Sequence, residues 1–364
     1  MKFGVDDMTV TMVRSLYFVH PKVHDVESFL NYVHISELPQ GLCLEWNDRN
    51  PELLFASEVI YSDKKSSETF RRLYCEAKVV VYYGGEASFT DFNIFDYGVG
   101  FDHTLKNQKY AQILSPMDFF DKFFYPDRIN LSEEVARKKL RSGLKFCNFL
   151  YSNPVAHPYR DNLFYKLSEY KKVDALGRHL NNTGIGGTGF AGHARESVNL
   201  KENYKFSIAS ENCGFQGYTS EKILTSLQAH TVPVYWGDPD VDLVVNPKCF
   251  INCNDFDTLD EVLQKVKEID NNDDLWCEMV SQPWFTEKQL EERIRRNKNY
   301  HKFMLSLLCK SIDSLATRPN GTFQYVYRAW FLNTPVRNDI LSRLKRKMNF
   351  RRLRNFSLSQ NRKN

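Results

Sequence analysis

No run of 18 apolar residues occurs in the 364-residue chain, so no segment is expected to cross a bilayer as a helix. The start, MKFGVDDMTVTMVRSLYFVH, contains acids and lacks the apolar stretch of an export signal, so secretion is not expected. Eight cysteines lie scattered without a paired rhythm, which argues against a disulfide framework and for reduced thiols in a cytoplasm. Cys249-x-x-x-Cys253 has no second pair of ligands near it, so buried thiols are expected there rather than zinc. A solenoid-length repeat is also missing.

Net positive charge is lacking outside the C-terminus. The net charge is +4, yet residues 337–364 hold ten Lys/Arg and one Asp, leaving 39 basic against 44 acidic residues in the rest. A mildly acidic body excludes nucleic-acid binding by that part as the reading of a basic pI. The length suits two domains, and a hydrophobic content of 42% is enough to fold both.

What is present is alternation. Val26 to Ile35 reads as a helix, Glu52 to Ala56 as a strand, Ser67 to Cys75 as a helix and Val79 to Tyr83 as an apolar strand. Ser132 to Arg141 is helical, and Lys145 to Tyr151 is a strand ending at Ser152-Asn153-Pro154, a plausible domain boundary. A helix from Tyr159 to Tyr170 and a strand near Val173 to Leu176 follow; later, Asp257 is expected to cap a helix running through Ile269. Strands alternating with helices imply parallel βαβ units, hence two α/β halves with ligands at the carboxyl ends of strands. The domains expected are 1–152, 153–320 and a C-terminal segment 321–364.

Tyr204 to Phe256 carries the most information. An apolar strand, Tyr204 to Ala209, enters a glycine-bearing polar loop, then a helix opening Thr219-Ser220-Glu221-Lys222, then a second apolar strand, Thr231 to Trp236. A helix start offers unpaired N–H groups and partial positive charge, which suits a phosphate. Arg160 stands at the start of another helix, where a cation works against the dipole, and that local conflict hints at an anionic ligand.

The spacing Tyr218-x-x-Glu221-Lys222, with Glu211-Asn212 before it and Val232-Pro233-Val234-Tyr235-Trp236-Gly237 after it, resembles the donor-nucleotide signature of glycosyltransferase family 10, the α-1,3/4-fucosyltransferases. The run GGEASFTDFNIFDYGVGFD, from Gly84 to Asp102, is similar to the acceptor-side motif of bacterial members. These matches, with Asn153 to Asn182, cover roughly a third of the chain.

The resemblance implies a GT-B fold of two Rossmann-like domains facing a cleft, and an inverting transferase using GDP-β-L-fucose. Glu86 aligns with the proposed base, with Asp91, Asp96 and Asp102 as competing carboxylates. Arg160 would bind phosphate, Lys222 the pyrophosphate, Glu221 the ribose hydroxyls, and Asn212 and Tyr218 the sugar-phosphate end, while Glu211 would instead orient the fucosyl ring. Ser210 departs from the aromatic that relatives usually carry. The implied acceptor is GlcNAc O3 or O4 in an N-acetyllactosamine-type glycan of a bacterial surface polysaccharide. Another GDP-sugar, or a catalytically silent glycan-binding or membrane-assembly protein, is the alternative.

Two motifs are set aside. Gly184 to Gly189 fits G-x-G-x-x-G, but only a short strand precedes it and no apolar helix follows in Phe190 to Glu202, so a mobile loop is expected instead of a dinucleotide site. Asp238-x-Asp240 imitates a metal-diphosphate motif, yet Arg160, Lys222 and a helix start already supply positive charge, so surface or cap acids are expected there instead of metal ligands. No cofactor is therefore expected to be required, although Mg or Mn stimulation stays possible. Finally, Ile340 to Phe356 sets apolar residues at helical spacing among bases, which suits an anionic membrane surface on the cytoplasmic side of the inner membrane.

Overall fold

The computed structural model describes residues 12–113, 131–186, 194–315 and 321–333. The basic segment 340–356 and Gly187 to Gly189 lie outside the described residues.

The chain divides into two compact units. The first comprises residues 1–100, 108–110 and 303–364, and the second 101–107 and 111–302. In the first, β1 (Met12–Val19), α1 (Val26–Tyr32), β2 (Leu42–Trp46), β3 (Leu53–Ala56), α2 (Lys64–Tyr74), β4 (Val79–Tyr83), β5 (Tyr97–Gly100) and β6 (Tyr110–Gln112) follow in order. They build a six-stranded sheet ordered β2-β1-β3-β4-β5-β6. The pairs β1–β2, β1–β3, β3–β4 and β4–β5 are parallel. Every residue of β3 and β4 is buried, as expected where helices cover both faces of a parallel sheet.

The second unit begins with α3 (Glu133–Arg141), β7 (Lys145–Phe149), α4 (Pro158–Ser168), β8 (Val173–Ala175), α5 (Ala194–Lys201), β9 (Tyr204–Ser210) and α6 (Glu221–Gln228). It continues through β10 (Val232–Trp236), β11 (Ile251–Asn252), α7 (Leu259–Asp270), α8 (Asp273–Ser281) and α9 (Glu287–Cys309). Its five strands are ordered β11-β10-β9-β7-β8, with all four neighbouring pairs parallel. A core of Phe149, Leu163, Phe206, Val234, Val262 and Trp276 joins the strands to α4, α7 and α8.

From Phe303 the chain belongs to the first unit again. Buried Arg14 donates from Nε to the Leu308 carbonyl at 3.2 Å and from Nη2 to that of Lys310. The last described helix, α10 (Thr322–Asn333), packs Tyr327, Phe331 and Leu332 on the core of the first unit.

Three expectations are corrected. The boundary after residue 152 falls instead before α3, because β7 pairs with β8 and β9 and buries Cys147 and Phe149 in the second core. The described part of segment 321–364 likewise joins the first unit instead of standing apart. Thr258, not Asp257, caps α7: its side chain accepts from Glu261 N while the Glu261 carboxylate accepts from Thr258 N at 3.0 Å, a reciprocal capping box. A helix does follow the glycine loop, since α5 buries Ser197, Val198 and Lys201 despite its polar composition. Cys249 and Cys253 are free and buried as expected, each on a 3-10 turn flanking the short β11.

Candidate active site

In the first unit, the carboxyl end of β4 delivers the Gly84-Gly85-Glu86 turn. Gly84 donates to the Val99 carbonyl at 2.8 Å, and a Cβ on it would stand 2.9 Å from the Tyr82 ring, so this close approach needs glycine. Glu86 is exposed beyond it, as a proton acceptor must be. The three competing carboxylates have structural partners. Asp91 accepts from Asn93 N at 2.9 Å and from the Tyr327 hydroxyl at 2.7 Å. Buried Asp96 accepts from Val80 N at 2.7 Å, and Asp102 from the amide and hydroxyl of Thr104 at 2.8 and 2.6 Å.

Sequence reasoning missed a fourth carboxylate. Glu58 opens a 3-10 turn just past β3, the strand beside β4, and its Oε2 accepts from Gly85 N at 2.9 Å. Its position at a strand's carboxyl end was the available signal.

In the second unit the ends of β7, β9 and β10 meet the start of α6. Glu211, completely buried, follows β9; its amide donates to the Trp236 carbonyl at 2.7 Å. One carboxylate oxygen accepts from Ser220 N at 2.7 Å, and the other from Ser220 Oγ at 2.7 Å and Lys222 Nζ at 2.9 Å. Gly237, at φ +155°, lies against it: a Cβ there would come within 2.4 Å of Glu211 Cγ. Burial pushes the Glu211 carboxyl up, with Lys222 opposing. For Lys222 burial alone would lower the pKa, but Glu211 and Glu221 outweigh it and hold the ammonium charged. Glu221 stands 3.7 Å from Lys222 Nζ.

Arg160, in the first turn of α4, is 1% exposed. Its Nε donates to Asp161 Oδ1 at 3.2 Å, its Nη1 lies 3.5 Å from Asn212 Oδ1, and its guanidinium lies over the Tyr151 ring at 4.7 Å. Its Nη2 is buried with no hydrogen-bond partner among the described residues. An orphaned charged donor at such a depth is costly and suits an incoming anionic oxygen. Tyr151 ties the cluster together, accepting from Ser210 N at 2.7 Å and feeling both Lys222 and Arg160 as charges. It too escaped the sequence reading, though it follows β7 at a strand end. Ser210, the departure from the expected aromatic, is fully buried by this contact.

The second unit therefore brings Arg160, Asn212, Glu211, Glu221 and Lys222 together around one helix start. Tyr218 differs: its buried ring packs edge-on against Phe101 at 5.0 Å. Asp238 is buried, not a surface acid. It accepts from Gly217 N, Thr219 Oγ1 and Asp240 N at 2.9, 2.8 and 3.0 Å, while Asp240 lies 3.0 Å from His103 Nε2. Among the described residues no group of three or more His, Cys, Asp or Glu could hold a metal ion. Nor is any helix there long and apolar enough to cross a membrane.

The family model described as glycosyltransferase family 10 (fucosyltransferase), C-terminal, matches residues 140–328, just over half of the chain. An α-(1,3)-fucosyltransferase of Helicobacter pylori is 27% identical over 286 residues, covering 70% of this chain and 57% of that protein. A putative fucosyltransferase of Acanthamoeba polyphaga mimivirus is 32% identical over 170 residues, covering 43% and 28%. The chain thus spans about half, or less, of the length of these relatives. A crystal structure of an α1,3-fucosyltransferase with GDP-fucose superposes with TM-score 0.59 at 19% identity, over 88% of this chain and 96% of that one. The fold is of the GT-B type that the resemblance implied. The chain belongs to glycosyltransferase family 10, the fucosyltransferases.

Proposed function

We propose that the protein is an inverting fucosyltransferase that moves L-fucose from GDP-β-L-fucose to O3 or O4 of GlcNAc in an N-acetyllactosamine-type glycan. The observation that carries the donor half is the buried Nη2 of Arg160, which has no hydrogen-bond partner among the described residues and belongs to the same cluster as Lys222 and the start of α6. A diphosphate supplies the acceptor oxygen that Arg160 Nη2 calls for, and its charge suits the neighbouring ammonium and helix start.

Glu86 removes the proton from the acceptor hydroxyl as the C1–O bond to GDP breaks and the new C1–O bond forms on the opposite face. Arg160 and Lys222 hold the negative charge that builds on the departing GDP. Glu221 accepts from the ribose hydroxyls, with Asn212 and Tyr218 at the sugar-phosphate end. Glu211 acts from behind as the counter-charge to Lys222, a role that its burial supports better than contact with the fucosyl ring. No metal is required. Working on a surface-polysaccharide precursor at the cytoplasmic face of the inner membrane, the protein is held to anionic lipid by the basic segment 340–356.

The test incubates the purified protein with GDP-fucose or GDP-mannose and a panel of N-acetyllactosamine and type-1 disaccharides. Transfer from GDP-fucose alone, to a GlcNAc hydroxyl, is expected. Transfer from GDP-mannose, or GDP binding without transfer to any acceptor, overturns it.

A further inference from the structure

The carboxyl ends of three adjacent central strands, β1, β3 and β4, converge in the first unit. They carry His20, Glu58 and Glu86, and Tyr32 reaches them from α1. Glu58 Oε2 accepts from Gly85 N at 2.9 Å, one residue before Glu86. The direction a Cβ would take from Gly85 leads to Glu58 Oε1 at 3.5 Å and to the Tyr32 hydroxyl at 3.6 Å. That hydroxyl lies 3.2 Å from His20 Nε2, and the two rings are 4.4 Å apart. On the far side, Tyr82 Oη meets Ser88 Oγ at 2.6 Å, and Ser88 Oγ donates to the Glu86 carbonyl at 3.1 Å. The turn bearing Glu86 is thus gripped at the residue before it and at its own carbonyl.

We propose that Glu58 is a positioning residue for the transfer reaction, fixing the Gly85 amide so that the Glu86 carboxylate is aimed. The inference rests on Glu86 being the base. The half-buried Glu58 carboxylate spends one oxygen on the Gly85 N–H, which holds the turn from the β3 side. The groups facing the pair are Tyr32 from α1, Tyr82 and Tyr83 from β4, and, through Tyr32, His20. Burial, then Lys22, lowers His20 to about 4, so near neutral pH it brings no positive charge to the pair. Burial first, and Glu86 with it, raises Glu58 above the usual carboxylate range.

Two variants separate grip from charge. Glu58→Gln keeps an oxygen for Gly85 N–H and removes the charge, whereas Glu58→Ala removes both. Rates are measured against pH with saturating GDP-fucose and varied acceptor, alongside GDP affinity and a folding control by circular dichroism. Glu58→Ala is expected to lower kcat at least tenfold with GDP affinity unchanged. Glu58→Gln, which keeps the oxygen for Gly85 N–H, is expected to recover most of that loss. Glu58→Gln as slow as Glu58→Ala, or Glu58→Ala within twofold of the parent kcat, overturns the proposal. If Glu86→Gln keeps full activity the base assignment itself fails; if Glu86→Gln is inactive while both Glu58 variants behave as the parent, only the role of Glu58 fails.

Discussion

Lys222 Nζ lies 2.9 Å from a Glu211 carboxylate that has no exposure to solvent. The ammonium that would meet a diphosphate is therefore held in place by a buried counter-charge, with 16% of its side chain accessible. Removing one partner of such a pair strands the other charge. Lys222→Met should cost about 3–5 kcal/mol of stability by this mechanism. The double variant Glu211→Gln/Lys222→Met should recover much of that loss in chemical denaturation while transfer stays abolished. A single variant as stable as the parent would show that Glu211 does not depend on Lys222.

Arg160 should not tolerate lysine. Its planar fork already spends Nε on Asp161, and Nη2 is left to a ligand. Arg160→Lys keeps the charge and loses the second donor, so GDP affinity by calorimetry should fall about tenfold or more. Unaltered affinity would remove Arg160 from the phosphate site.

Much of this was legible in the sequence because apolar runs and polar helix starts are local signals. The strand–loop–helix–strand from Tyr204 to Trp236 appears with Ser220 as the cap of α6, and β4 spans Val79–Tyr83 as expected. What escaped depends on contacts distant in sequence. Glu58 reads as an ordinary polar residue after a strand until Gly85, 27 residues on, is brought against it. Tyr151 matters because Ser210, 59 residues away, donates to its hydroxyl. The domain boundary was misplaced for the same reason: nothing within Lys145–Phe149 says which sheet will pair with it. Asp238, by contrast, looked like a surface or cap acid because two of its three donors, Gly217 N and Thr219 Oγ1, come from a loop some twenty residues earlier.

Stability should carry a basic-pH signature from Lys201. This lysine is 4% exposed and donates to Thr225 Oγ1 and Ser226 Oγ at 2.9 and 3.1 Å, beneath α6. Burial lowers its pKa from 10.5 to about 7. Between those values the unfolded chain binds the proton that the folded chain has released, so stability rises with pH across that window. Below about 7 both states are charged and the full penalty applies. Lys201→Met removes the penalty and leaves both hydroxyls bonded to helix carbonyls, Thr225 to Glu221 and Ser226 to Lys222. The variant's stability advantage should be greatest near pH 7 and fade toward pH 10.5 in denaturation curves; a pH-independent difference would contradict the assignment.

Asp238 and Asp240 should behave as structural acids. Chelation with EDTA should leave the transfer rate unchanged, while Asp238→Ala should lower the melting temperature by leaving Gly217 N and Thr219 Oγ1 without their acceptor. Loss of transfer on chelation, restored by Mg or Mn, would return the pair to a metal role.

Replacement of Glu86 by Gln is the most direct measurement, read as fucosyl transfer from GDP-fucose to N-acetyllactosamine with GDP affinity followed in parallel. Transfer should fall at least ~100-fold, the lower scale for a lost base, while GDP binds as tightly as before. Transfer at the parent rate by Glu86→Gln would contradict the assignment of the proton acceptor and the mechanism built upon it.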